Sequence, residues 1–449
     1  MSFKQTTLGE YAKVQGGYAY KSSDFAEGEG CIVLKIKNVR FGHVDYSEPS
    51  YIDQQLADET KEWKTKEGDI LISMTGSGPN APQSLVGRVA RVWKDEPSAW
   101  INQRVGRVVL KDVTSIHPDF LFYLLSTSKS QDFLVSNSSG SANQANISGK
   151  IIESLPCPKV DFQTSARIVE ILRSLDEKIL LNRQINQTLE QIAQAMFKTW
   201  FVDFEPTRAK IAAKEAGGDQ AAIEQAAMCA ISGKTPDQLN QSPPETLAQL
   251  KATAALFPEA LVDSGLGEIP EGWEVKKIED ILVRLKPSTR YGNTEVLPYG
   301  KVPVYEQGTG ILLGYHNEVA GFDASPEAPI FIFGDHTCVT HLSCEPFDVS
   351  QNVIPLSGKN FPTAWVYYAI QGRQEFQEYR RHWSELIIKE IVVPTNDISV
   401  IFSKKITKLY LHKEHLVRES KSLEQIRNSL LPKLLSGELA PDGKLDLPV

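Results

Sequence analysis

Apolar residues recur at helical spacing in two long stretches of this chain, each running for roughly 35–40 residues. The first, "SARIVEILRSLDEKILLNRQINQTLEQIAQAMFKTWF", ends at residue 201; the second, "IFSKKITKLYLHKEHLVRESKSLEQIRNSLLPKLL", ends at residue 435. The string LEQI stands in both, at 189–192 and 423–426, and aligning one on the other brings both stretches into a single frame. Ile168 then falls level with Phe402, Leu172 with Ile406, Leu175 with Leu409, Ile179 with Lys413 and Asn182 with Leu416. The series continues with Asn186 and Ser420, Leu189 and Leu423, Ala193 and Arg427, Met196 and Leu430, and Trp200 and Leu434. Both copies are apolar at the ends and polar in the middle. That is the pattern of a coiled-coil seam in which a few polar core residues set register at some cost in stability. The predicted seam takes Leu172, Leu175, Ile179, Asn182, Asn186 and Leu189 from one helix and Ile406, Leu409, Leu416, Leu423 and Leu430 from the other. Each helix would be on the order of 55 Å long. Spacing alone does not choose between parallel and antiparallel pairing.

The repeat extends upstream of the helices. Apolar, strand-like runs ending in proline precede each one, "KIIESLPCP" at 150–158 and "LIIKEIVVP" at 386–394. Earlier still, "HPDFLFYLLS" (117–126) answers "FPTAWVYYAI" (361–370), with Pro118 and Pro362 at plausible first helical positions. "WINQRVGRVVL" (100–110) answers "DVSQNVIPLSG" (348–358), sharing Gln103 and Gln351. "GDILISMTGS" (68–77) answers "APIFIFGDHT" (328–337), each a β-rich run opening into a polar turn. Five features in one order describe a tandem duplication. The predicted organisation is a globular unit (1–162), a long helix (163–204), a connector (205–268), a second globular unit (269–395), a second long helix (396–437) and a tail (438–449). The connector is rich in Ala, Gln and Glu and broken by GG and PP, which reads as short helices in a linking segment. The fold class is α+β: two tandem α/β globular units joined by two long helices with an internal pseudo-two-fold repeat.

A chain of 449 residues needs more than one core, and its 41% hydrophobic content is ample for packed domains. No run of eighteen or more apolar residues occurs, so no membrane span is expected. "MSFKQTTLGEYAK" lacks the apolar centre of a secretory signal, which points to a cytoplasmic protein. Five scattered cysteines fit a reducing compartment. The net charge of −8 means that any nucleic-acid role must rest on local basic patches.

No constellation in the chain supplies chemistry of its own. The Asn/Asp-Pro-Pro-aromatic tetrapeptide of amino-methyltransferases is absent, its nearest approach being "SPPE" at 242–245. "SGKT" (232–235) resembles the end of a phosphate loop, but Met228 stands where the leading glycine is required. Cys338, His341 and Cys344 have even spacing rather than paired ligands across a longer loop, and a β-hairpin explains them better than zinc does. His412 and His415 fall on the flank of the long helix.

Two similar but non-identical heads on two long helices form a caliper, suited to two separated half-sites on a linear polymer such as duplex DNA. A duplicated protein-interaction scaffold is the alternative that architecture leaves open. Seven stretches now bear on that choice: "GYAYKSSDF", "EGDILISMTGS", "INQRVGRV", "SGSANQANIS", "FKTWFVDFEPTRAK", "LVDSGLGEIPEGWEV" and "LLPKLLSGEL". In this order they closely resemble the specificity (HsdS) subunits of type I restriction-modification systems, over essentially the whole chain. The resemblance implies two target-recognition domains on two helices packed antiparallel, each domain reading one part of a bipartite double-stranded DNA target. It implies two methyltransferase subunits and restriction/translocase subunits as partners, no catalysis and no cofactor in this chain, and S-adenosylmethionine, ATP and Mg on those partners.

Base edges in the major groove are read by Arg or Lys at guanine and by Asn or Gln at adenine. Polar loop residues are therefore the candidate DNA contacts. In the first head these are Lys21, Ser22, Lys35, Lys37, Asn38, Arg40, Thr75, Ser77, Ser141, Asn143 and Gln144. In the second they are Arg284, Lys286, Arg290, Gln307, His336, Thr337, His341, Arg380, Arg381 and His382. No metal ligands are expected.

Overall fold

The structure is a computed structural model that describes residues 3–26, 28–77, 86–141, 144–308, 310–378 and 380–441. The chain divides into two compact units, Met1–Leu180 with Glu419–Val449, and Leu181–Arg418.

The first unit is built on a four-stranded antiparallel sheet ordered Ala12–Gly16, Val105–Leu110, Ile70–Ser73, Val89–Arg91. The strand period of two sorts its side chains between two cores. Ile70, Ile72 and Val89 face a core shared with helix Pro118–Leu125 and the long helices, while Leu71 and Ala90 face another with Leu34, Ile101 and Val105. That second core is covered by a three-stranded sheet ordered Ser50–Ile52, Cys31–Leu34, Ala99–Ile101, its last pair parallel.

The second unit repeats this plan. Its four-stranded sheet runs Leu282–Arg284, Val353–Gly358, Ile330–Gly334, Thr340–Ser343, and its three-stranded sheet runs Leu312–His316, Val302–Tyr305, Asp348–Val349, again ending in a parallel pair. Phe331 and Phe333 face the helices and Ile332 faces the other way. The runs at 150–158 and 386–394 are not single strands: each opens as a short helix, Gly149–Glu153 or Trp383–Ile387, before strand Pro156–Pro158 or Glu390–Val393. In the first of these, Ser148 caps the helix by accepting from the Ile151 amide, a local signal that outweighs the apolar run.

Two helices, Phe162–Phe201 and Asn396–Ser436, contribute to both units. Within each unit their contacts run in opposite directions. In the first, Asp176 meets Arg427 and Lys178 meets Glu419. In the second, the Asn182 amide reaches the Leu416 carbonyl at 3.5 Å and Glu190 pairs with Lys413. The pairing is antiparallel. Leu172, Ile179, Asn182, Ile406 and Leu416 are buried, while Leu175, Asn186, Leu189, Leu409, Leu423 and Leu430 are partly covered.

The segment between the first long helix and the second head carries four helices that pack into a core. Helices Glu205–Glu215, Gln220–Ser232, Pro236–Asn240 and Pro244–Ala255 place Ala227, Met228, Ile231, Leu239, Leu250 and Ala254 in one core with Trp200 and Phe257. Small alanine side chains let these helices approach closely, so a composition that reads as linker builds a solid wall. No helix among the described residues is long and apolar enough to cross a membrane.

Candidate nucleic-acid interface

Each head gathers its polar loops at one sheet edge, where the turn before the second strand of the larger sheet meets the loop after the third. In the first head the Met74 amide donates to the Arg104 carbonyl. In the second the Asp335 amide donates to the Asn352 carbonyl. Gln103 and Arg104, and Gln351 with Asn352, are exposed on these turns. Because strands Val105–Leu110 and Val353–Gly358 begin immediately after, Arg104 and Asn352 hold equivalent places with different base-edge chemistry. Sequence reasoning missed both. The signal was their place next to the repeated glutamine.

The remaining candidates in the first head sort by accessibility. Lys21, Ser22, Lys37 and Gln144 are exposed, although Lys37 is paired with Glu48 at 3.1 Å. The Lys35 ammonium lies 3.7 Å from the Phe25 ring centre, and burial followed by the nearby Lys37 charge lowers its pKa. Arg40 is paired with Asp45 at 3.2 Å and remains partly exposed. Asn38 is buried: its carboxamide accepts from the Lys35 amide and donates to the Asp45 and Glu48 carbonyls. It therefore shapes its loop instead of presenting an amide to a base. Thr75 is likewise buried and donates to Asn146 at 2.7 Å, while Ser77 is partly exposed. Ser141 lies on strand Ser139–Ser141, and Asn143 lies outside the described residues. Arg88, unforeseen from sequence, is buried beneath residues 36–39 and donates to the Val39 and Ile36 carbonyls at 2.8 and 2.7 Å. It holds that loop onto the sheet.

The second head brings more of its candidates together. Gln307 accepts from the His336 amide at 3.0 Å, joining the loop at 306–311 to the loop at 335–339 that carries Thr337. Asp335 then accepts from the Trp383 amide and pairs with Arg381 at 3.8 Å, and Arg284 stacks on Trp383 with its guanidinium carbon 5.7 Å from the ring centre. Arg380 is exposed but engaged with Glu378 and Glu385. Lys286 is exposed. Three candidates are structural in this arrangement. Arg290 donates to the Ser350 and Val353 carbonyls, and His382 is fully buried against Gln374 and Glu378. His341, the cross-strand partner of Ile332, packs its ring on Tyr305. Burial, reinforced by the Lys413 charge, lowers its pKa to about 4. Charge alternation in the sequence carried no information about which basic groups would be turned inward.

The pattern has recognisable relatives. Residues 2–191 match the family described as type I restriction modification DNA specificity domain. The specificity subunit of the type I restriction enzyme HindI from Haemophilus influenzae is 31% identical over 413 residues, covering 83% of this chain and 87% of that one. The MjaIX specificity subunit of Methanocaldococcus jannaschii is 22% identical over 480 residues, covering 97% of this chain and 96% of its own. In fold, the S subunit of a type I restriction-modification system from M. genitalium superposes with a TM-score of 0.52 at 14% identity, covering 97% of this chain and 96% of that one. Two heads with one scaffold and different loops, on two antiparallel helices, together with these relatives, place the chain in the family of DNA specificity subunits of type I restriction-modification systems.

Proposed function

We propose that this chain reads an asymmetric, two-part DNA sequence, one part with each head, and directs partner subunits to it without catalysing a reaction itself. The observation that carries the reading is the pair of turns at Gln103–Arg104 and Gln351–Asn352. Equivalent scaffold positions present a guanidinium in one head and a carboxamide in the other, which favour guanine and adenine edges respectively. Lys21, Lys37, Lys286 and Arg381, exposed around the same loops, supply phosphate contacts that fix register.

Partners carry the chemistry in this proposal. Two methyltransferase subunits bind S-adenosylmethionine and modify one adenine in each half-site after rotating it out of the stack. Restriction/translocase subunits use ATP and Mg. Equivalent aliphatic residues of the repeat, Ile192 and Ile426, are 45% and 47% exposed, which supports two copies of one partner on the helix pair. The setting is the cytoplasm, where the host chromosome is the substrate. Single-molecule methylation mapping of the host genome with and without the gene tests the whole reading. Loss of one two-part motif methylated on both strands is expected; an unchanged methylome in a strain that expresses the complex would overturn it.

A further inference from the structure

Each head is tied to its own stretch of the helix pair by a few buried and half-buried polar groups that DNA reading does not use. In the first unit the Tyr123 hydroxyl, on helix Pro118–Leu125, donates to the Asp176 carboxylate at 2.8 Å, and the other oxygen of Asp176 takes Arg427 at 2.6 Å. Burial, with the Asp176 charge beside it, raises the Tyr123 pKa, so the phenol remains a donor. In the second unit the Tyr368 hydroxyl, on helix Thr363–Ile370, donates to Glu190 at 3.2 Å, and Glu190 also takes Tyr410 and Lys413. Both clusters have the same three parts: a phenol from the head, a carboxylate on Phe162–Phe201 and a cation on Asn396–Ser436.

The repeat does not explain this likeness. In the helix frame Asp176 falls level with Tyr410, Arg427 with Ala193, and Glu190 with Glu424. In the head frame Tyr123 falls level with Tyr367, whereas Tyr368 makes the bond to Glu190. The two clusters are thus built from non-equivalent positions, which a relic of duplication would not produce. Around them lies apolar contact, such as Phe120, Leu121 and Leu124 with Ile168, Leu172 and Leu434. Apolar contact is non-directional and lets a head pivot with little change in buried area. A hydrogen-bonded, charged cluster permits one geometry, and setting register is the best-attested use of buried polar groups.

Resting on the two-part reading above, we propose that the Tyr123–Asp176–Arg427 and Tyr368–Glu190–Lys413 clusters lock the angle of each head on the helix pair and so enforce the distance between half-sites. These are positioning residues. They decide how strictly the spacer is measured, not which bases are read.

The test uses full-length chain co-expressed with its methyltransferase partner and a plasmid library carrying the target with spacers up to two base pairs shorter or longer than native. Tyr123→Phe and Tyr368→Phe each remove one hydroxyl and preserve the ring. The expected result is unchanged half-site bases, with methylation at spacers one base pair off rising at least tenfold relative to the native spacer, and further in the double variant. A spacer profile identical to wild type, or methylation falling in proportion at every spacer, would show a purely structural role and overturn the proposal. Should Tyr123→Phe fail to accumulate, Arg427→Lys, which keeps the cation but shortens its reach, must loosen the spacer in the same way or the proposal fails. A wild-type chain that yields no two-part motif would instead overturn the specificity reading, so the two failures are distinct.

Discussion

In the first head, strands Cys31–Leu34 and Ser50–Ile52 are joined by residues 35–49, which carry Lys35, Lys37 and Arg40 and an exposed Phe41. In the second head the corresponding strands, Val302–Tyr305 and Leu312–His316, are joined only by residues 306–311. The loops after Ile70–Ser73 and Ile330–Gly334 differ in the same way, the second being confined to residues 335–339. In the four-stranded sheet and the three-stranded sheet that covers it, strand order, strand direction and the alternation of the two cores are nevertheless the same in both heads. What differs is the material above one edge. A scaffold whose core is satisfied by alternation tolerates loop exchange, because loops at the surface bury little, and two loop sets on one frame make two different readers.

That contrast extends to the ties beneath the heads. In the first unit Asp119 is almost completely buried between Arg91, at 2.9 Å, and Arg173. The second unit has Thr363 in the equivalent helix position and uses a more open cluster, in which Glu414 accepts from the Cys344 amide and Arg418 pairs with Glu345. Asp119→Asn should be the more damaging change: removing the charge between two arginines costs roughly 3–5 kcal/mol, read as a lower urea midpoint for the transition of the first unit. A loss under about 1 kcal/mol would mean that water already screens the cluster.

Arg104→Ala sharpens the comparison at the reading edge. It should weaken or relax one half-site by about 1–3 kcal/mol, as expected for loss of a guanine contact, and leave the other half-site untouched. Equal weakening at every sequence with a shallower salt dependence would make Arg104 a phosphate contact instead.

His341 has no histidine counterpart in the first head, where Val89–Arg91 is the matching strand. Its folded pKa of about 4 lies below the usual 6.5, so folding favours the neutral ring. Its contribution is complete above pH 6.5 and disappears as pH falls from there through 4. Wild type should therefore lose about 1–2 kcal/mol more than His341→Asn between pH 7 and pH 5, measured as the difference between their thermal midpoints. Parallel pH curves would remove His341 from the account. The smallest effect belongs to Arg418→Ala, whose side chain is 63% exposed: under about 1 kcal/mol, and less at high salt.

The repeat and the long helices are readable because each follows from a period, and a period survives in one dimension. Ile70, Leu71 and Ile72 are an apolar run that announces a strand covered on both faces. The family stretches at 197–210 and 261–275 were equally plain. The candidate contacts were read less well. Asn38, Thr75, Arg290 and His382 are residue types suited to DNA, yet the first two and the last are buried, Arg290 is half-buried, and all are hydrogen-bonded within their heads. Arg88 and Arg107 are buried among backbone carbonyls in the same manner. A guanidinium has the same letter whether it faces water or a carbonyl, so only the path of neighbouring loops tells the two apart.

Read alone, the chain declares a duplicated α+β scaffold on two amphipathic helices, since hydrophobic periodicity dictates which faces must be hidden. Periodicity leaves the direction of the helix pair open, and the tertiary contacts make it antiparallel, draw the alanine-rich segment at 205–255 into a core and expose Arg104 and Asn352 on their turns. They also bring Asp176 and Arg427, far apart in sequence, together over one tyrosine. These outcomes depend on which long-range partners come within a few ångströms, and electrostatic and hydrogen-bond energies depend on that distance and on burial, not on composition.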